Sequence, residues 1–283
     1  MTFPRLGAIF DRAVHLLVRN AVPFAVCMSP AIVLSILASA ADPGSLSAEE
    51  VIGANGDVSS YERAYWLFSG ALIVATFAQW VCAAAVMIGV RWLLRGYPPS
   101  PLTWMLVGIA RTPALLLTFL LPTLPMVVPL ILIGTTAYRL SQAIANDPDS
   151  LDFQIGLLRY ESLGVVVLGV IAVPLAGVAS AVVVLDGLRP VRAVVVAMRT
   201  CFSRTQFKRF LALSAAIVAL FAAEVPIFAL GKLALQQYQT LVIVWPAVRA
   251  VVDAAIAAYG ATIVALAWLI GYIGPKRLDD LSA

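Results

Sequence analysis

Long charge-free apolar blocks alternate with short polar ones along most of this chain, and the apolar blocks are of membrane-crossing length. Residues 21–40 hold no charge, and 20 residues of helix rise about 30 Å, the thickness of a bilayer's hydrocarbon core. The same reading gives spans at 64–90, 113–138, 163–185, 210–231 and 251–274. Ahead of the first span the spacing changes. Leu6, Ile9, Phe10, Ala13, Val14 and Leu17 recur at helical intervals, while Arg5, Asp11, Arg12, His15 and Arg19 fall elsewhere on the wheel, so residues 1–20 are expected to form an amphipathic helix lying in the interface. The fold class predicted is an all-α integral membrane protein with about six transmembrane helices, an N-terminal interfacial helix and cytoplasmic amphipathic segments, forming one membrane domain over 1–283.

Several segments refine that outline. Ala38, Ser39 and Ala40 imitate a signal-peptidase site, but the preceding charged region is too long and the apolar run exceeds the usual signal core of about 7–15 residues, so the first helix is expected to be retained. Residues 41–63 are polar and acidic, with an Asn55-Gly56 turn signal, and form a loop. Between Arg91 and Arg111, Pro98, Pro99 and Pro101 precede a brief helix containing Trp104, Met105 and Leu106. Pro122, Pro125 and Pro129 interrupt the third apolar block, where a kink or break is expected. Residues 139–161 read as a polar connection, and Ala172, Ala176 and Ser180 then place small residues every four positions for close helix packing. Residues 233–248, including Leu241 to Trp245, are expected to lie along the outer interface, because Pro246 and the short length disfavour a seventh crossing.

Composition agrees. Of 283 residues, 62% are hydrophobic and 12% charged, about half the charge fraction of a soluble domain, and mean hydropathy is +0.97. Charge then fixes the sidedness. Alternating the connections across the bilayer puts 14 of the 19 Lys and Arg on the face that carries both termini, so that face is expected to be cytoplasmic and the protein to sit in the cell membrane. The most basic stretch, 186–209, holds Arg189, Arg192, Arg199, Arg204, Lys208 and Arg209 against one acid, Asp186. Beside apolar segments such a cluster points to anionic lipid head groups, or a membrane-protein partner, rather than nucleic acid; topological anchoring alone would use the same charges.

Catalytic chemistry has little to work with. His15 is the only histidine, which excludes histidine-built metal clusters and histidine-paired nucleophiles elsewhere in one subunit. No phosphate-binding loop, nucleophile elbow or Cys-x-x-Cys occurs. Asp147, Asp149 and Asp152 lack the glycine and ligand spacing of a calcium loop, so no metal and no cofactor are expected. Cys27, Cys82 and Cys201 form no disulfide framework. One intramembrane polar group stands out: Glu224 sits inside an apolar block, where an ionised carboxylate needs a partner or water. Arg249 and Asp253 complete this candidate site, as structural pair or as part of a proton or cation path.

Three stretches resemble the bacterial multi-pass proteins related to the membrane domain of glycerophosphoryl diester phosphodiesterase. They are the amphipathic segment Leu6 to Asn20 leading into a span, the connection Arg91-Trp92-Leu93-Leu94-Arg95-Gly96, and Val182 to Leu213, an acidic-glycine turn followed by an alanine-containing helix and a basic lead into the next span. Asp186 stands where that family usually has Glu, and Ala197 where Ser is common. The catalytic domain that accompanies some relatives, with its paired acids and histidines, has no counterpart in these residues, so the resemblance implies a membrane fold and not phosphodiester cleavage. The expected function is a non-enzymatic membrane protein that scaffolds or regulates a membrane or lipid-related partner. The competing expectation is a transporter or lipid translocator using Glu224 and the proline-broken third span.

Overall fold

A computed structural model describes residues 6–40, 59–146, 151–223, 226 and 241–274. Among them the chain is all helix: α1 (Leu6–Arg19), α2 (Ala21–Ala40), α3 (Ser59–Leu94), α4 (Pro101–Ala110), α5 (Thr112–Asn146), α6 (Leu151–Asp186), α7 (Pro190–Cys201), α8 (Phe207–Ala222) and α9 (Leu241–Leu269). This is the all-α multi-pass architecture that the apolar blocks predict. Five helices are long and apolar enough to cross a membrane: Ala21–Ser39, Leu67–Leu94, Thr112–Thr136, Ile155–Asp186 and Val244–Leu269. The sixth predicted span, 210–231, begins within α8, and its continuation past Ala223, including Glu224, lies outside the described residues.

Contacts group the chain into two compact units. The first contains α1 to α4 and α9. In it α2 packs along α3 and α9, α4 packs on α3, and α1 lies on α9, where the Phe10 and Tyr259 rings stand 6.0 Å apart. The amphipathic pattern of α1 places its sides: Ile9 and Ala13 are fully buried, while Asp11, Arg12, His15 and Arg19 are exposed. Cys27 donates weakly from its Sγ to the Pro101 carbonyl at 3.7 Å, and Phe24 packs on Trp104 at 5.7 Å, holding the start of α4 against α2.

Local chemistry explains the turn between α3 and α4. Gly96 has φ +76°, a conformation that costs glycine little and other L residues more. Its N–H donates to the Leu93 carbonyl at 3.0 Å and the Tyr97 N–H donates to the Trp92 carbonyl at 3.2 Å, which satisfies two carbonyls at the helix end. Trp92 Nε1 then donates to the Pro98 carbonyl at 2.8 Å and its ring packs on Tyr97 at 5.1 Å. Pro101 occupies the first turn of α4, where its missing N–H removes no helical bond.

The second unit contains the body of α5, then α6, α7 and the first part of α8. Two sequence expectations are corrected here. Of the kink or break expected in α5, the break does not occur: the helix runs uninterrupted through Pro122, Pro125 and Pro129. In hydrocarbon, leaving the helix strands every backbone group of the opened turn, whereas each proline removes one donor, so the helix persists. Threonines lie close to the interrupted ladder: Thr118 Oγ1 donates to the Ala114 carbonyl at 2.6 Å and Thr123 Oγ1 to the Phe119 carbonyl at 2.9 Å. The predicted polar connection 139–161 is mostly helix as well, since α5 runs to Asn146 and α6 begins at Leu151. Polar side chains do not end a helix that still satisfies its backbone.

A third correction concerns the last span. Leu241 to Val248 belong to α9 instead of forming a separate interfacial stretch, with Pro246 near its start, and the apolar stretch long enough to cross a membrane is Val244–Leu269 rather than 251–274; residues 233–240 lie outside the described residues. Pro246 falls at the sixth residue of the helix, where it disturbs only the first turns.

α3, α6 and α9 share one feature. Their later halves are buried, as at Ala84 to Met87, Ala181 to Leu185 and Ile263 to Leu269, whereas Leu67, Ile73, Tyr160, Leu163, Val244 and Val251 nearer their starts are exposed. Ala172 and Ala176 of the predicted small-residue stripe are buried, in keeping with a role in close approach.

Candidate functional site

Of the intramembrane polar residues singled out by sequence, Asp253 and Arg249 come together. One helical turn apart on α9, the Arg249 Nε and Asp253 Oδ2 are 3.9 Å apart, with the guanidinium side chain 54% exposed and the carboxylate side chain 27% exposed. Asp253 lies about 14 Å along the helix from Val244, well inside the apolar segment. Its second oxygen, Oδ1, is buried and reached by no hydrogen-bond donor among the described residues. Gln79 of α3 sits beside it and donates from Nε2 to the Asp253 carbonyl oxygen at 3.3 Å, tying the two helices at that depth. Gln79 went unremarked in the sequence because a single amide in the block 64–90 carries no charge signal. The arrangement holds a neutralised ion pair with one acceptor position left over. Glu224, the third member of the predicted site, lies outside the described residues.

Sequence reading also passed over Glu161, counting it as part of a polar loop. In the second unit it belongs to α6, and Thr136 of α5, almost fully buried, donates from Oγ1 to Glu161 Oε1 at 2.9 Å. Glu161 Oε2 is buried with no partner among the described residues. Ile155–Asp186 forms the crossing segment, so this acid falls near its first end. The signal available in the sequence was the apolar run before it, Phe153 to Leu158, which marks 139–161 as something other than a solvated loop.

The six basic residues occupy the corner formed by α7 and α8. α7 starts at Pro190, and Ala193, Val194, Ala197 and Cys201 form its buried face. Arg189, Arg192, Arg199, Arg204 and Lys208 are exposed. Arg209 differs: it is half-buried, and its Nη1 donates to Gln206 Oε1 at 3.2 Å. Among the exposed cations stand exposed apolar side chains, Val191, Val195, Met198, Phe202 and Phe207. The Phe202 ring packs on Phe207 at 5.9 Å and edge-on against the buried Phe210 at 5.7 Å, which fixes the two outer rings. Behind them burial pushes the Cys201 thiol up to about 12. The corner is therefore a fixed surface of cations interleaved with aromatic and aliphatic side chains, suited to phosphate groups with acyl chains beneath them.

Among the described residues no three His, Cys, Asp or Glu are placed to hold a metal ion. All three cysteines are free and buried. Among known proteins, no family model, no curated protein and no solved structure matches this chain.

Proposed function

We propose that this is a non-enzymatic multi-pass protein of the cell membrane, with both termini cytoplasmic, that holds anionic lipid head groups on its cytoplasmic face and so scaffolds or regulates a membrane partner. The observation that carries this reading is the α7–α8 corner, where exposed Arg189, Arg192, Arg199, Arg204 and Lys208 surround exposed Met198, Phe202 and Phe207. Each basic residue near an anionic leaflet contributes on the order of 1 kcal/mol, so five together outweigh the attraction of an uncharged leaflet many-fold.

The test uses the full chain in nanodiscs containing spin-labelled phosphatidylglycerol or phosphatidylcholine. Preferential immobilisation of the anionic lipid at the protein surface, lost when the five exposed cations are replaced by Gln, is the expected result. Equal immobilisation of both lipids by the parent protein removes the proposal.

A second reading, translocation of an ion or lipid, is favoured by one observation: Asp253 keeps a buried, unpartnered oxygen inside a crossing helix. Reconstituted vesicles test it through Glu224→Gln and Asp253→Asn. Transport that neither change reduces eliminates both acids from such a path.

A further inference from the structure

The nine described helices fall into three consecutive groups of the same design. Each group begins with a short helix, amphipathic in the first and third groups and apolar throughout in the second, continues into an apolar helix, and returns by a long helix that ends at a glycine of positive φ. The first group is α1, of 14 residues, then α2, then α3 of 36 residues, closed by Gly96 at φ +76°. The second is α4, of 10 residues, then α5, then α6 of 36 residues, closed by Gly187 at φ +70°. The third is α7, of 12 residues, then α8, then α9 of 29 residues, closed by Gly271 at φ +72°. A single residue, Asn20 or Arg111, joins the short helix to its outgoing partner in the first two groups, and residues 202–206 do so in the third. The later half of each returning helix is the buried half.

The short helices also divide their surfaces alike. In α1 the pair Ile9 and Ala13 is buried, while Val14 and Val18, four apart, are 48% and 72% exposed. In α4 Trp104 and Gly108 are buried, while Leu102 and Leu106 are 68% and 59% exposed. In α7 Ala193 and Ala197 are buried, while Val191 and Val195 are 64% and 39% exposed. A helix in water turns its second face polar; all three keep an apolar row on it. In sequence, arginines lie within or beside each short helix: Arg12 and Arg19, then Arg95 and Arg111, then Arg192 and Arg199. Two apolar helices of membrane-crossing length separate successive short helices, α2 and α3 first and α5 and α6 next.

We propose that the chain is a tandem triplication of one hairpin unit, and that α1, α4 and α7 are three equivalent interfacial helices whose exposed apolar rows lie in the anionic leaflet on the basic side. This rests on the lipid-facing reading of the α7–α8 corner and extends it to two further helices. Charge selects the occupant: a protein partner could cover one apolar row, but three rows, each on a helix with arginine within it or beside it in sequence, match a continuous sheet of negative head groups over acyl chains.

Single cysteines at Val18, Leu106 and Val195 carry a nitroxide in nanodiscs of phosphatidylethanolamine and phosphatidylglycerol, the parent protein serving as labelling blank because its cysteines are buried. Val14, Leu102 and Val191 serve as second positions should a first variant fail to fold. At all three helices, oxygen accessibility should exceed that to a water-soluble nickel chelate severalfold, placing the labels about 5–10 Å below the head-group boundary. A label on α1 or α4 that favours the nickel chelate overturns the equivalence, even with anionic-lipid selectivity at the α7–α8 corner intact. Embedded labels without that selectivity leave the triplication standing and remove the corner's role.

Discussion

Gly89 of α3 lies directly under the Trp104 indole of α4: a Cβ built on the glycine would stand 2.6 Å from Trp104 Cε3 and 2.7 Å from Cζ3. Trp104 is fully buried, so its ring has nowhere to withdraw. Gly108 makes the reciprocal approach, where a Cβ would come within 3.0 Å of the Val81 carbonyl oxygen. Two glycines and one tryptophan thus set the distance between α3 and α4 in the first unit. Gly89→Ala is expected to lower stability by about 1–3 kcal/mol through overpacking, read as a lower midpoint of thermal unfolding in detergent. Trp104→Phe combined with Gly89→Ala should recover part of the loss, since the smaller ring leaves the new methyl some room; a double variant no better than Gly89→Ala alone contradicts the contact.

The Cys201 thiol, raised by burial to about 12, should be nearly inert toward maleimide while the protein is folded. At pH 8 an ordinary thiol near 9 is roughly one-tenth thiolate, against about one part in ten thousand here. Because the folded value lies above the unfolded one, the neutral thiol favours the fold below about pH 9, and that contribution fades as pH rises toward 12. Labelling kinetics at pH 8, followed by labelling in denaturant, check this; reaction of Cys201 at the rate of a free peptide thiol would show the burial to be wrong.

Thr136 and Glu161 supply a third measurement. Thr136→Val removes the donor to Oε1 and leaves the carboxyl group, whose other oxygen already lacks a described partner, without any. Hydrogen bonds between membrane helices average about 0.6 kcal/mol and reach about 1.7, so a loss in that interval is expected. Glu161→Leu should make the second change harmless, and a double-mutant cycle with zero coupling energy would deny the bond.

Gln79 tests the tie between α3 and α9. Its acceptor is a main-chain oxygen within a helix, which keeps its own helical bond, so Gln79→Leu is expected to cost no more than about 1 kcal/mol and to leave secondary structure intact by circular dichroism. A collapse of helicity would mean that the amide does more than join two helices.

Much of this architecture could be read from residues alone because hydrocarbon imposes one rule, that apolar length equals span. The block 163–185 and the brief helix around Trp104 follow from it directly. Helix ends did not, because the rule is silent once the chain leaves the hydrocarbon: α5 and α6 continue through Arg139 and Glu161 into what reads as a polar loop. The prolines of α5 misled for a related reason. Their cost in water is set by the lost bond, whereas in lipid the alternative is worse. For the polar site, charge revealed Arg249 and Asp253, which pair, but Gln79 and the Thr136–Glu161 bond depend on which faces meet, and periodicity within one helix does not encode its neighbour.

The burial gradient along α3, α6 and α9 carries a mechanical consequence. Each returning helix is gripped along its final turns and is bare along its first. A change at the bare end can lean or bow the helix within its own unit without disturbing its clasped end. Strain introduced among the clasped turns has no such slack, and small volume changes there will be felt throughout that unit.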